Sequence, residues 1–142
     1  MHVVQALATL GIGGSEFVAT ELTEHLRGAG WRVTVLAAPG PLGRRVTAAG
    51  ADILPWPIHK KRLTTLRYIG RIRRWLTEQQ PDIVHVHSRL PALLIWRAMQ
   101  SMPPELRPAL VTSMHGHYSV SRYRAVMASG DRIIGVSDQI RE

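Results

Sequence analysis

Gly11-Ile12-Gly13-Gly14-Ser15-Glu16 stands between an apolar run, His2 to Ala8, and a stretch in which Val18, Leu22 and Leu26 recur every fourth residue. That spacing puts side chains on one helix face. The reading is strand, glycine turn, helix. Such a junction turns free backbone N–H groups and the positive end of the helix dipole outward, which suits an anion. Its glycines let a ligand approach the backbone closely. The plainer alternative is a tight turn before an N-capped helix, with Ser15 as the cap.

The turn excludes two phosphate loops. A dinucleotide fingerprint needs a third glycine where Glu16 stands, and an acidic residue at the end of the second strand, where Leu36, Ala37 and Ala38 stand. That argues against NAD, and against a dehydrogenase or methyltransferase on the same fold. No Gly-Lys-Ser or Gly-Lys-Thr follows, so the lysine and hydroxyl of a nucleoside triphosphatase loop are lacking. Glu16 would repel a bare phosphate but accept a hydrogen bond from a hydroxyl, so a sugar or polyol is the better partner.

Around this turn the strands and helices alternate. A second apolar run covers Trp31 to Ala38, entered after Gly28-Ala29-Gly30, glycines that suit a helix stop. Pro39-Gly40-Pro41 breaks the chain, a short helix is expected over Leu42 to Ala49, and a third strand over Ala51 to Trp56. Pro81-Asp82 opens a fourth, Ile83 to His87, followed by a helix from about Pro91 to Met99. Ala109 to Met114 and Arg132 to Val136 read as a fifth and sixth, with a helix between them over Ser119 to Ser129. The alternation predicts an α/β fold, a Rossmann-like open parallel sheet with helices on both faces.

The chain has 142 residues, 45% of them hydrophobic, enough to close one core, so a single domain over residues 1–142 is expected. The absence of cysteine rules out disulfides and thiolate metal sites and fits a reducing compartment, so cytoplasm is the default. No apolar run approaches the roughly 20 residues of a membrane span, and Met1-His2 leads straight into a strand. Eighteen Lys and Arg against ten Asp and Glu give +8, which favours anionic partners.

Nearly all of that charge lies between His59 and Arg74, with seven positive residues and no acid. A helix over Thr64 to Gln79 would set Leu66, Ile69, Ile72 and Leu76 on one face and Arg67, Arg71 and Arg74 on another. Together with Lys60, Lys61 and Arg62, this basic amphipathic segment suits an anionic membrane surface. Nucleic acid is not expected, because no aromatic ladder or reader motif accompanies the charge.

Four histidines, His85, His87, His115 and His117, stand at or just past the ends of two strands. A zinc site is chemically possible, but nothing in the spacing makes the ligands converge, so no metal is expected. His85 and His87 share a sheet face, and His85 reads as a half-buried residue bonded to the backbone. His87, Ser88 and His115 fall at the carboxyl ends of strands, beyond which the ligand crevice of an open parallel sheet lies.

Taken in order, Gly13-Gly14-Ser15-Glu16, Pro81-Asp82-Ile83-Val84-His85-Val86-His87-Ser88, Thr112-Ser113-Met114-His115-Gly116 and Ile134-Gly135-Val136-Ser137 resemble the amino-terminal half of family 4 retaining glycosyltransferases. That family has the GT-B architecture, two Rossmann-like domains facing across a cleft, the first binding mainly the acceptor and the second the nucleotide sugar. The resemblance implies His115 as the catalytic residue beside the transferred sugar. It implies substrate contacts at Gly13, Gly14, Ser15, Glu16, His87, Ser88, Arg89 and Gly116, and neither a cofactor nor a metal.

The family continues into a donor domain where this sequence stops, at Glu142. The expectation is therefore a fragment, a shortened frame, or one subunit of a split transferase. The implied activity is transfer from a nucleotide-diphosphate sugar to a hydroxyl acceptor, with a lipid-linked acceptor and a peripheral place on the inner face of a membrane among the options. The rival expectation is a non-catalytic domain that binds membrane or a partner chain through residues 59–79.

Overall fold

The computed structural model describes residues 1–58, 63–114 and 132–135. Six strands form one sheet: β1 (His2–Thr9), β2 (Arg32–Ala38), β3 (Asp52–Leu54), β4 (Ile83–Val86), β5 (Ala109–Met114) and β6 (Arg132–Gly135). All pairings are parallel, in the order β3-β2-β1-β4-β5-β6. The sheet grows outward from β1 to β3 on one side, then from β4 to β6 on the other. The reversal falls between β1 and β4, the place where an open α/β sheet leaves a crevice.

The α-helices among the described residues are α1 (Gly14–Gly28), α2 (Gly43–Ala48), α3 (Arg67–Gln79) and α4 (Arg89–Gln100). Alternation along the strands sorts them into two layers. Leu7 of β1 and Val33, Val35 and Ala37 of β2 pack with Ala19 of α1 and Val46 of α2. The alternate residues, Val4, Ala6, Leu36, Val84 and Val86, pack with Ile72 and Leu76 of α3 and Leu94, Ile95 and Ala98 of α4. Each fully buried Leu or Ile contributes about 1.5–3 kcal/mol, so both helix layers are held mainly by apolar burial.

Several expectations change in detail. Val18 is 44% exposed, Leu26 of the expected face packs on the core, and the fully buried residues of α1 are Ala19, Thr20 and Thr23, small residues that let the helix lie close to the sheet. Their hydroxyls cause no buried deficit, since Thr20 donates to Glu16 O and Thr23 to Ala19 O. The basic helix begins as a 3-10 turn over Leu63–Leu66, leaving Leu66 53% exposed, and becomes α-helical only at Arg67. It ends where Gln80 takes a left-handed φ of 45°. β3 and β4 are shorter than expected, and α4 starts two residues earlier, at Arg89. The helix expected over Ser119 to Ser129 lies outside the described residues. Among the described residues no helix is long and apolar enough to cross a membrane.

Candidate functional site

Both loops flanking the reversal are fixed by hydrogen bonds from the ends of β1 and β4. At the end of β1, Leu10 N donates to Ala38 O and Gly11 N to Thr9 Oγ1. The Pro39-Gly40-Pro41 segment crosses over the turn, and Leu42 N donates to Leu10 O at 3.0 Å. Gly40 passes so close that a side chain there would collide with Leu10 and Gly11 backbone atoms. The turn is thus clamped from the β2 side.

Helix α1 starts without a side-chain cap. Its N-cap is Gly13 in extended backbone, with Phe17 N donating to Gly13 O, so Ser15 is not the cap. Its hydroxyl instead donates to Glu16 Oε2 at 3.1 Å. The Glu16 carboxylate folds back over Gly13, where a Cβ would meet it, whereas Gly14 has open space around it. A carboxylate at this position takes favourable interaction from the helix dipole. It leaves Gly14, the Ser15 hydroxyl and the carboxylate's remaining lone pairs for a hydroxyl-bearing ligand.

On the β4 side, His87 N donates to Ala6 O and Ser88 is the N-cap of α4. The Ser88 Oγ accepts the N–H of Ala8 at 3.2 Å, tying the two loops across the crevice. Arg89 is exposed in the first turn of α4. Glycine turn, Ser88 and Arg89 therefore share the carboxyl edge. The His87 imidazole does not open onto it: His87 is 2% exposed, and its Nε2 meets Gln5 Oε1 at 2.6 Å. His85 is 5% exposed, more deeply buried than expected, and its Nε2 meets the Ser113 hydroxyl at 2.6 Å. Gln5 and Ser113 were not singled out from the sequence. Gln5's one signal is a lone amide inside an apolar run.

His115 and Gly116 follow directly on β5 but, like Lys60, Lys61 and Arg62, lie outside the described residues. Of the basic helix, Arg67, Arg71 and Arg74 are exposed, with the Arg71 guanidinium 5.5 Å from the centre of the Tyr68 ring. Among the described residues the ion pairs are Arg32–Asp52 and Arg45–Glu24, neither of them on α3. Among the described residues no acidic side chain pairs with that helix face.

The structure resembles a glycosyltransferase from Rickettsia africae ESF-5, with a TM-score of 0.79 and 20% identity over 99% of this chain and 38% of that one. MurG from Acinetobacter baumannii gives a TM-score of 0.75 at 16% identity, over 98% of this chain and 42% of that one. These likenesses establish the fold, an α/β Rossmann-like sheet of the kind found in glycosyltransferases. A phosphatidyl-myo-inositol mannosyltransferase from Mycobacterium leprae (strain TN) is 30% identical over 139 residues, spanning 91% of this chain and 37% of its own length. The chain thus spans well under half the length of these relatives. The sequence profile of Glycosyltransferase Family 4 matches residues 12–142, from inside the glycine turn to the last residue, and the chain belongs to that family.

Proposed function

We propose that this chain is the acceptor-side half of a glycosyltransferase that moves a sugar from a nucleotide-diphosphate donor to a hydroxyl acceptor. The observation that carries the reading is the family match over residues 12–142, which takes in the glycine turn and the end of β4. The donor half belongs to further polypeptide, as the greater length of the relatives supports. Gly13, Gly14, Ser15 and Glu16 hold ligand hydroxyls or the donor diphosphate, with Ser88, Arg89 and Gly116 on the acceptor side. His87 serves through its backbone rather than its buried ring. His115 hydrogen-bonds the transferred sugar and stabilises charge in the transition state, a positioned-donor role. A lipid-linked acceptor is favoured by the relative named for phosphatidyl-myo-inositol, and it would place the protein at the inner face of a membrane.

The test is reconstitution. This chain alone should transfer no sugar, because barrier lowering by positioning requires both substrates to be fixed. Joined to a donor half it should turn over, and His115→Ala should then lower kcat by roughly 10²-fold. Turnover by the purified chain at enzymatic rates would overturn the reading. A raised KM with unchanged kcat would reduce His115 to uniform binding.

A second reading rests on the arginines of α3, which make no ion pair among the described residues. In it the segment 59–79 docks on anionic membrane, and the domain acts by binding alone. Lipid binding by a chain that no donor half activates would favour it.

A further inference from the structure

The sheet face covered by α1 is apolar on β2 but polar where β1, β4 and β5 meet. Gln5, His85, His87 and Ser113 are 0%, 5%, 2% and 3% exposed. Gln5 and His85 are register partners on β1 and β4, and His85 pairs with Val111 on β5, two residues before Ser113. Gln5 Oε1 meets His87 Nε2, the two imidazole rings lie 4.1 Å apart between centroids, and His85 Nε2 meets Ser113 Oγ. The four side chains make a continuous line across three strands.

Stability does not account for this line. The opposite face of the same strands uses Val4, Ala6, Val84 and Val86, and buried hydrogen bonds gain little over such packing. The amide of Gln5 also leaves Nε2 buried without a partner, at a desolvation cost. The backbone ladders set which residues pair, and side-chain bonds, directional where apolar contacts are not, add a second constraint on where the strand ends sit. That constraint matters here because β1 runs into the glycine turn and β4 into Ser88, which takes the Ala8 N–H.

We infer that Gln5, His87, His85 and Ser113 are a positioning row that holds the ends of β1, β4 and β5 in one arrangement at the crevice. The row acts as a unit: a change at one end is felt at the other through the paired imidazoles. The four side chains act through the strand ends they hold. Only its consequence for sugar transfer rests on the function proposed above.

The experiment is histidine and backbone amide NMR of the 142-residue chain with Ser113→Ala, Ser113→Thr and Gln5→Leu. Ser113→Ala should move the imidazole signals of both His85 and His87 and the amide signals of Ala8 and Ser88, and Ser113→Thr, which keeps the hydroxyl, should restore them. Gln5→Leu should move His85 as well as His87. Shifts confined to the immediate partner, or a threonine that restores nothing, would overturn the inference. Should Gln5→Leu fail to fold, the serine pair decides alone. Joined to a donor half, Ser113→Ala should lower kcat about 10-fold with KM unchanged, on the scale of small misplacements. Coupled NMR shifts with unchanged kcat would uphold the row and overturn only its consequence for catalysis, whereas coupled shifts with no turnover by the joined wild type would uphold the row and count against the transfer reading.

Discussion

A methyl group added at Gly40 would land on the carbonyl of Leu10 and come within 2.7 Å of Gly11 N. Backbone cannot step aside as a side-chain tip can, so Gly40→Ala should destabilise the fold by about 1–3 kcal/mol, the scale of overpacking. Gly28→Ala, with no atom within 4 Å of the new carbon, should be neutral or gain about 0.4–1 kcal/mol through the unfolded state. Equal losses from the two in urea denaturation would refute the crossing as the cause. His2 gives a pH dependence. Its Nε2 bonds Thr34 Oγ1 at 2.9 Å, and its ring meets Trp75 edge-on. Burial, with help from Arg32, pushes its pKa below the ordinary 6.5, against the opposing pull of Asp82 and Asp52. The unfolded chain therefore takes up the proton first. The His2 contribution is complete above about pH 6.5 and is lost as pH falls toward the lowered folded value. His2→Gln should flatten the fall in Tm between about pH 7 and about pH 5, and an unchanged slope would show that other groups govern it. Sequence reading found the glycine turn but missed Gly40's role, because a collision between two loops leaves no local pattern. It placed His87 beside the crevice from its position at a strand's end, but that position does not say what covers the ring, which is buried.

Helix α3 was legible because its two faces differ so strongly in composition. Ile72 and Leu76 are buried while Arg67, Arg71, Arg73 and Arg74 are exposed. The error at Leu66 has a physical cause: a 3-10 turn advances differently from an α-helix, so a face extrapolated backward through it points wrongly. Leu66 is consequently an exposed apolar residue one position before Arg67. Helix α1 misled in another way, since its threonines look polar in sequence yet satisfy themselves on their own backbone and pack inward. If α3 meets anionic lipid, each arginine contributes about 1 kcal/mol near the surface. Reversing Arg67, Arg71 and Arg74 to Glu should then abolish co-sedimentation with phosphatidylserine-containing vesicles at low salt, leaving the far-UV circular dichroism unchanged. Wild-type binding should weaken as salt rises beyond about 0.1 M, where the Debye length is about 10 Å. Binding that ignores both the reversal and the salt would assign the contact to apolar insertion instead.

At the scale of the whole molecule, the order β3-β2-β1-β4-β5-β6 puts the glycine turn and the Ser88–Arg89 corner on either side of one reversal. Alternating apolar runs and helical patterns make that α/β class legible without coordinates. The polar row beneath the crevice is not, because Gln5 and Ser113 are 108 residues apart and become neighbours only through β4. Among the described residues one wall of the crevice carries Gly14, Ser15 and Glu16, and on the function proposed above the nucleotide sugar is held by a donor half. Ligand stabilisation should report this directly. A ligand that binds only the folded state at about 100 times its Kd adds about 2.7 kcal/mol, several degrees in Tm for a domain of this size. A nucleotide-diphosphate sugar should therefore leave the Tm of the free chain nearly unchanged and raise it by several degrees once a donor half is joined. Inorganic phosphate should do neither, because the Glu16 carboxylate already lies over Gly13 at the helix start. If phosphate alone stabilised the free chain, Glu16 would have to swing away and the turn would be a plain anion site. Glu16→Gln should then strengthen that binding, whereas a turn selective for hydroxyls should gain nothing from the loss of charge.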